Sequence, residues 1–230
     1  MTRHRDNIFW LFLIAILPIL ASAQTHYDGN LAVGAKSGIT LSKLQFNPSV
    51  PQSMLMGVAI GGSLRYVEEK NFGLIVELNL EQRGWKEKFE GYNYAYDRKL
   101  TYLQMPLLTH VYFGNNRMHG FFNAGPEIGY MVAESTHANF DYHNIEAIED
   151  FPGANRNTDQ MTLSVKNKFD YGISAGLGAE FFTGKRHSFN LEGRVYYGLH
   201  DVFGNHKKDT FSGSSALSVM LTVGYYYQLK

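Results

Sequence analysis

The sequence predicts an all-β chain: an eight-stranded antiparallel up-and-down transmembrane β-barrel with short periplasmic turns and four longer extracellular loops. Three observations point there. The stretch Phe169 to Phe182 alternates strictly. Tyr171, Ile173, Ala175, Leu177, Ala179 and Phe181 fall in one register, and Asp170, Gly172, Ser174, Gly176, Gly178 and Glu180 in the other. A period of two with one greasy and one small-or-charged face is a strand between two different environments. The same pattern recurs along the chain, and the connections between its repeats are short and long by turns, as in an outer-membrane barrel. A soluble β-sandwich has no reason to sort its loops by parity.

Composition sets the frame. The 230 residues suit one large all-β domain. Lys plus Arg and Asp plus Glu are 21 each, so no global field favours nucleic acid. With 15 Tyr, 16 Phe and only 6 Pro, the chain is rich in strand formers. The absence of cysteine excludes disulfides, thiolate metal sites, cysteine nucleophiles and a lipidated cysteine.

Residues 1–23 read as a cleaved secretory signal peptide and 24–230 as the barrel domain. Arg3 and Arg5 form a basic head, Ile8 to Leu20 an apolar core, and Ala21-Ser22-Ala23 a cleavage site before Gln24. The apolar run is too short to span a bilayer comfortably as an anchor. Cleavage removes two basic residues and one acidic residue, so the mature chain stays close to neutral. No later apolar run is long enough for a transmembrane helix. A membrane location therefore requires a closed sheet, since open edges cannot be satisfied in lipid.

The elements follow in order. The first strand is Asn30 to Leu41, ended by a loop over 42–53 with Pro48 and Pro51. The second is Met54 to Tyr66, followed by a tight polar turn at 67–71. The third is Phe72 to Arg83, with Phe72, Leu74, Val76, Leu78 and Leu80 opposite Glu77, Asn79, Glu81 and Arg83, and Ile75 as the exception. A charged, Tyr-rich loop covers 84–97. The fourth strand is Lys99 to Phe113, where Pro106 removes a ladder donor and predicts a bulge. Asn115-Asn116 supply turn chemistry at 114–118. The fifth strand is His119 to Ala133, and 134–165 is the longest irregular stretch. The sixth is Lys166 to Phe182, with a short turn at 183–187. The seventh is Ser188 to Leu199, with a polar loop over 200–214. The eighth is Ser215 to Lys230.

Aromatic positions predict interface girdles. Tyr66, Phe72, Phe113, Phe121, Phe122, Phe181, Phe182, Phe189, Tyr225 and Tyr227 lie beside the short turns or the C-terminus. Trp85, Tyr102, Tyr130, Tyr171 and Tyr197 would mark the other rim. The inward register collects Lys36, Arg65, Glu77, Glu81, Arg83, Gln104, Glu127, Asp170, Glu180, Glu192 and Arg194. Eight strands enclose a lumen that side chains fill, so these charges must pair. The pairs could serve as a structural plug, or as a gate or proton path.

Equipment for catalysis is missing. His187 and Ser188 are adjacent and so face opposite ways, and His110 has no serine two residues away. His137, Asp141 and His143 in the longest loop are an incomplete metal-ligand set. The chain is expected to have no catalytic residue, metal or cofactor.

Several segments resemble the porin-family, PorT-like outer-membrane β-barrels of Bacteroidetes. They are Gly34 to Ser42 (GAKSGITLS), Tyr102 to Leu108 (YLQMPLL), Ala124 to Tyr130 (AGPEIGY), Phe169 to Phe181 and Arg194 to Val202. The resemblance covers nearly the whole mature chain, and the Tyr-Leu-x-x-Pro-Leu-Leu segment is its most specific part. It implies an eight-stranded barrel inserted by the barrel-assembly machinery, and its namesake subgroup serves protein secretion. The end of the chain departs from the usual terminal aromatic, for which Tyr225 or Tyr227 would stand in. The function expected is that of a non-enzymatic envelope scaffold or interaction barrel. Its surroundings would be outer-membrane lipid and a protein partner at the extracellular loops, and it would act as a monomer without nucleic acid. The alternatives are a narrow porin-like conduit for ions or small solutes and an accessory factor in secretion.

Overall fold

The computed structural model describes residues 29–152, 157–204 and 210–229, so the signal-peptide segment and Lys230 lie outside the described residues. Eight long strands form one antiparallel sheet: β1 (Asn30–Asn47), β2 (Leu55–Glu69), β3 (Phe72–Glu87), β4 (Tyr96–Gly114), β5 (Met118–Ala138), β6 (Phe169–Phe182), β7 (His187–Gly198) and β8 (Gly213–Gln228). A two-residue strand, Gln52–Ser53, pairs with the end of β3 at Lys86 and Glu87. Each long strand pairs with its chain neighbours, and β1 also pairs with β8 from Ala32↔Gln228 to Asn47↔Gly213. The sheet is a closed up-and-down barrel, as expected.

Three connections are tight. Lys70 and Asn71 join β2 to β3, with Asn71 at φ 73°, a left-handed position that asparagine tolerates. Residues 115–117 and 183–186 make the other two. Both ends of the described chain lie at this side, where the Asn30 amide donates to Gln228 Oε1 at 3.2 Å. The four long connections lie at the opposite side. Among its described residues the longest carries two single 3-10 turns, Ile145–Ala147 and Asp159–Met161.

Several strands run further toward the long loops than the alternation predicted. β1 continues past Leu41 to Asn47, β3 past Arg83 to Glu87, and β5 past Ala133 to Ala138. On β1 and β3 the period of two persists there, but the polarity of the faces inverts, whereas the β5 extension is exposed on both faces. On β1, Ile39 and Leu41 are exposed while Lys36 and Thr40 are buried. Four residues on, Leu44 and Phe46 are buried and Gln45 and Asn47 are exposed. The lower zone is thus apolar outside, as lipid requires, and the upper zone is apolar inside, as water requires. In the other direction, 166–168 and Leu199 fall outside β6 and β7.

The bulge lies elsewhere than at Pro106. Residue pairs on both sides of Pro106 keep one register with β5, and the shift falls between Thr101 and Tyr102. Pro106 lies on the buried face with no break in register, and Val132 is the extra residue that absorbs the shift.

Lipid-side burial matches a membrane barrel. Leu177 is 70 % exposed at mid-strand on β6, and Ile60, Leu78, Leu107 and Val223 are likewise bare. Replacing Leu177 with Arg is expected to destabilise the barrel by about 2–4 kcal/mol, whereas Leu177→Val is expected to be close to neutral. Urea unfolding in lipid vesicles, read by heat-modifiable gel mobility, checks the contrast.

Candidate functional site

The lumen is built by position parity. On β3 the alternate residues Glu77, Asn79, Glu81, Arg83 and Trp85 share the inward face. They rise from the short-turn end toward the long loops, since Ile75 pairs with Arg65 and Lys86 with Asp97. Lys36 from β1, Arg65 from β2, Glu127 from β5, Asp170 and Glu180 from β6, and Glu192 and Arg194 from β7 point into the same space. None of these charged side chains is more than 8 % exposed.

They sort into three groups. Nearest the short turns, Arg65 holds Glu180 with two bonds of 2.8 Å. The Ser188 hydroxyl donates to the same carboxylate at 2.5 Å, and the guanidinium lies 4.2 Å from the Tyr226 ring centroid. In the middle, Arg194 holds Glu77 with bonds of 2.7 and 2.9 Å and also binds Glu192. Lys36 donates to Glu77 at 2.5 Å, and the Asn123 amide donates to Glu192 at 2.9 Å. In the upper group Arg83 meets three carboxylates. It donates to Glu81 at 2.8 and 3.0 Å, to Asp170 at 3.2 Å, and to Glu127. The Tyr196 hydroxyl donates to Asp170 at 2.7 Å while its ring lies under Arg83 at 3.6 Å, and Ser174 donates to Glu127.

Above these groups the lumen turns apolar. Phe46, Trp85, Tyr96, Phe203 and Phe211 pack with Met161 and Val202 into a lid. Ring centroids of Phe46 and Phe211 are 4.9 Å apart, and those of Trp85 and Phe203 are 5.8 Å apart. The Tyr96 hydroxyl donates to the Met161 carbonyl at 2.8 Å, tying β4 to the longest loop. Arg98 pairs with Glu134 and donates to the Leu163 carbonyl at the edge of the lid. Below, at the short-turn end, a cavity of about 190 Å³ opens beside Arg65, His110, Tyr112, His119, Glu180 and Gln228.

The aromatic expectations divide. Tyr66, Phe72, Phe113, Phe122, Phe181, Phe189 and Tyr225 are exposed on the lipid side, and Tyr227 is half-buried. Tyr130, Tyr171 and Tyr197 are exposed toward the other rim. Trp85 and Tyr102, expected at that rim, are instead 0 % and 3 % exposed inside the barrel. They share parity with Arg83 and Gln104, so they cannot reach lipid. Phe121 is 4 % exposed for the same reason, stacked over Gly178. Phe182 is half-buried against His119, with ring centroids 4.6 Å apart.

The remaining candidates are scattered. His187 Nδ1 lies 2.6 Å from the Tyr225 hydroxyl, whereas Ser188 is engaged by Glu180, so the two form no nucleophile–base pair. His137 Nδ1 is 3.7 Å from Asp97, and Asp141 accepts the His143 backbone N–H at 3.1 Å. Among the described residues no group of three His, Asp or Glu is arranged to hold a metal ion. Sequence reasoning passed over Asn123, Ser174, Ser188, Tyr196 and Tyr226 as partners of the charges. Their parity places them on the inward face, which was the available signal.

A closed ring with an inward charged face and an outward apolar face can be compared with known proteins. A profile of the outer membrane protein beta-barrel domain matches residues 22–204. The chain belongs to that family. As an outer-membrane barrel it is similar to the crystal structure of OprG from Pseudomonas aeruginosa, with a TM-score of 0.54, 12 % identity, and 90 % of this chain and 98 % of that chain covered. Neisserial surface protein A aligns with a TM-score of 0.44 and 10 % identity, over 87 % of this chain and 99 % of that one. The attachment invasion locus protein Ail of Yersinia pestis aligns with a TM-score of 0.39 and 11 % identity, over 85 % and 98 %. No curated protein sequence matches the chain significantly. Family membership places the protein in the outer membrane.

Removing one partner of a buried ion pair strands the other without water. Arg194→Leu, which leaves Glu192 without a cation and Glu77 with Lys36 alone, is expected to cost about 3–5 kcal/mol. The double variant Arg194→Leu/Glu192→Leu, which leaves the Lys36–Glu77 pair intact, is expected to recover part of it. Urea unfolding of the refolded barrel measures both.

Proposed function

We propose that this outer-membrane barrel is a closed, non-enzymatic anchor that presents its four long connections to a protein partner outside the cell. What supports this role is the filling of the lumen: three groups of ion pairs, with the aromatic lid above them. An ion crossing the barrel would have to displace bidentate pairs such as Arg65–Glu180, at several kcal/mol for each charge stripped of its partner. The long connections carry the exposed polar surface, including Lys88, Glu90, Tyr92 and Asn93. Export by a signal peptide over residues 1–23 is part of the proposal, with Gln24 as the expected N-terminus of the mature chain by N-terminal sequencing. The resemblance of Tyr102–Leu108 to PorT-like barrels makes a secretion accessory the second reading, and loss of surface-delivered proteins on gene deletion would select it.

In planar bilayers the purified wild-type barrel is expected to give no steady ion-sized conductance steps. Arg83→Ala combined with Arg194→Ala is expected to introduce them if the double variant folds. Regular steps from the wild type would replace the anchor with a narrow conduit. Crosslinking in intact cells through Tyr92 and its neighbours is expected to capture a protein partner, and its absence would leave the barrel as a scaffold alone.

A further inference from the structure

The three ion-pair groups do not carry the same charge. Around Arg65 one cation faces one carboxylate, Glu180. Around Arg194 two cations, Arg194 and Lys36, face two carboxylates, Glu77 and Glu192. Around Arg83 a single guanidinium faces Glu81, Glu127 and Asp170. The next cation toward the lid, Arg98, is committed to Glu134 and the Leu163 carbonyl. Among the described residues two formal negative charges are therefore in excess, all in one enclosed place. Arg83, Glu81 and Glu127 are each 1 % exposed and Asp170 is 3 % exposed. Isolated charges at such burial cost several kcal/mol each unless something positive joins them.

A second observation marks where. Among the described residues, two acceptor atoms at this place have no hydrogen-bond partner: Asp170 Oδ1 and Gln104 Oε1. They belong to side chains already in contact, since Gln104 Nε2 donates to Asp170 Oδ2 at 3.4 Å. Gln104 is 0 % exposed, and Gly129 makes room for its amide, because a Cβ there would fall 2.0 Å from Oε1. Oxygens of two touching side chains that both accept and neither donate can be satisfied together by one small cation that reaches both. The groups that face Asp170 are Arg83 from β3, Gln104 and Tyr102 from β4 and Tyr196 from β7, with Glu81 and Glu127 held by the same Arg83.

We propose that the Arg83 group binds one small monovalent cation, a proton or an alkali metal ion, through Asp170 Oδ1 and Gln104 Oε1. Either form removes one of the two excess charges. A proton on Asp170 would donate to Gln104 Oε1 and close a ring of two hydrogen bonds between carboxyl and amide. An alkali ion would take both oxygens as ligands. The site needs no partner at the loops, so it stands whether or not the anchor role does.

The test uses the whole mature barrel refolded into phosphatidylcholine vesicles. Asp170→Asn places an amide N–H where the cation would be, and keeps an oxygen for Arg83 and Tyr196. It is expected to refold as fully as the wild type. Glu180→Gln, which strips Arg65 in a balanced pair, is expected to refold less fully. If the cation is a proton, the wild type shows an infrared carbonyl band of a protonated carboxyl group that is lost in Asp170→Asn. If it is an alkali ion, the wild-type urea midpoint rises when sodium or potassium chloride replaces choline chloride at equal ionic strength, and the rise is lost in Asp170→Asn. The proposal is overturned if the wild type shows neither signal, if the signal survives in Asp170→Asn, or if Asp170→Asn refolds no better than Glu180→Gln.

Discussion

The pairing of the first strand with the last is the constraint on which the rest of the molecule depends. Within a bilayer no water is available to an unpaired N–H or C=O, and each one left open costs several kcal/mol. A meander of eight strands has two open edges until β1 meets β8, and that contact runs nearly the full height of β1, from Ala32 to Asn47. It joins residues nearly the length of the chain apart, so its loop-closure cost falls on the whole fold. Once closed, the ring gives every strand an inside and an outside, and each later feature follows from which side a residue faces.

Inside, the closed ring creates a space too narrow for bulk water and too polar to be left alone. Charges on alternate positions are forced within reach of one another. The chain responds with arginines, whose planar fork satisfies two carboxylate oxygens at once, as Arg65 does with Glu180 and Arg194 with Glu77. Aromatic rings then cover the guanidinium faces, Tyr226 below Arg65 and Tyr196 below Arg83. The lid solves a different problem. Above the lipid boundary the outside is wet, so apolar side chains move inward and Trp85, Phe203 and Phe211 form a small core of the kind found in soluble proteins.

Most of the fold was legible because parity is local. Strand existence, face assignment and the inward charged set can all be read from neighbours two residues apart, and Ile75 stands out as the apolar side chain in the inward register between Phe72 and Arg83. Three things were not legible for physical reasons. Trp85 and Tyr102 sit at a height that suits an interface, but height without parity does not decide which side a ring faces. The strand extensions past Leu41 and Arg83 keep their alternation and exchange its polarity, so a search for apolar-out strands stops at the boundary. The particular ion pairs depend on strands that face each other across the lumen, as with Arg83 on β3 and Asp170 on β6. No short-range pattern encodes that opposition.

The inversion of polarity on β1 also acts as a ruler. Its lipid-facing apolar residues run from Leu31 to Leu41, and Lys43 is the next outward side chain. Ten residue steps at about 3.3 Å each, on a strand tilted by about 40°, span roughly 25 Å along the membrane normal. That is the height of the apolar band of outer-membrane barrels, and shorter than the hydrocarbon core of an average bilayer, about 30 Å. The protein is therefore matched to a thin membrane. In a thicker one, the lipid would have to thin locally around the ring or bury the polar collar of Lys43, Gln45 and Asn47.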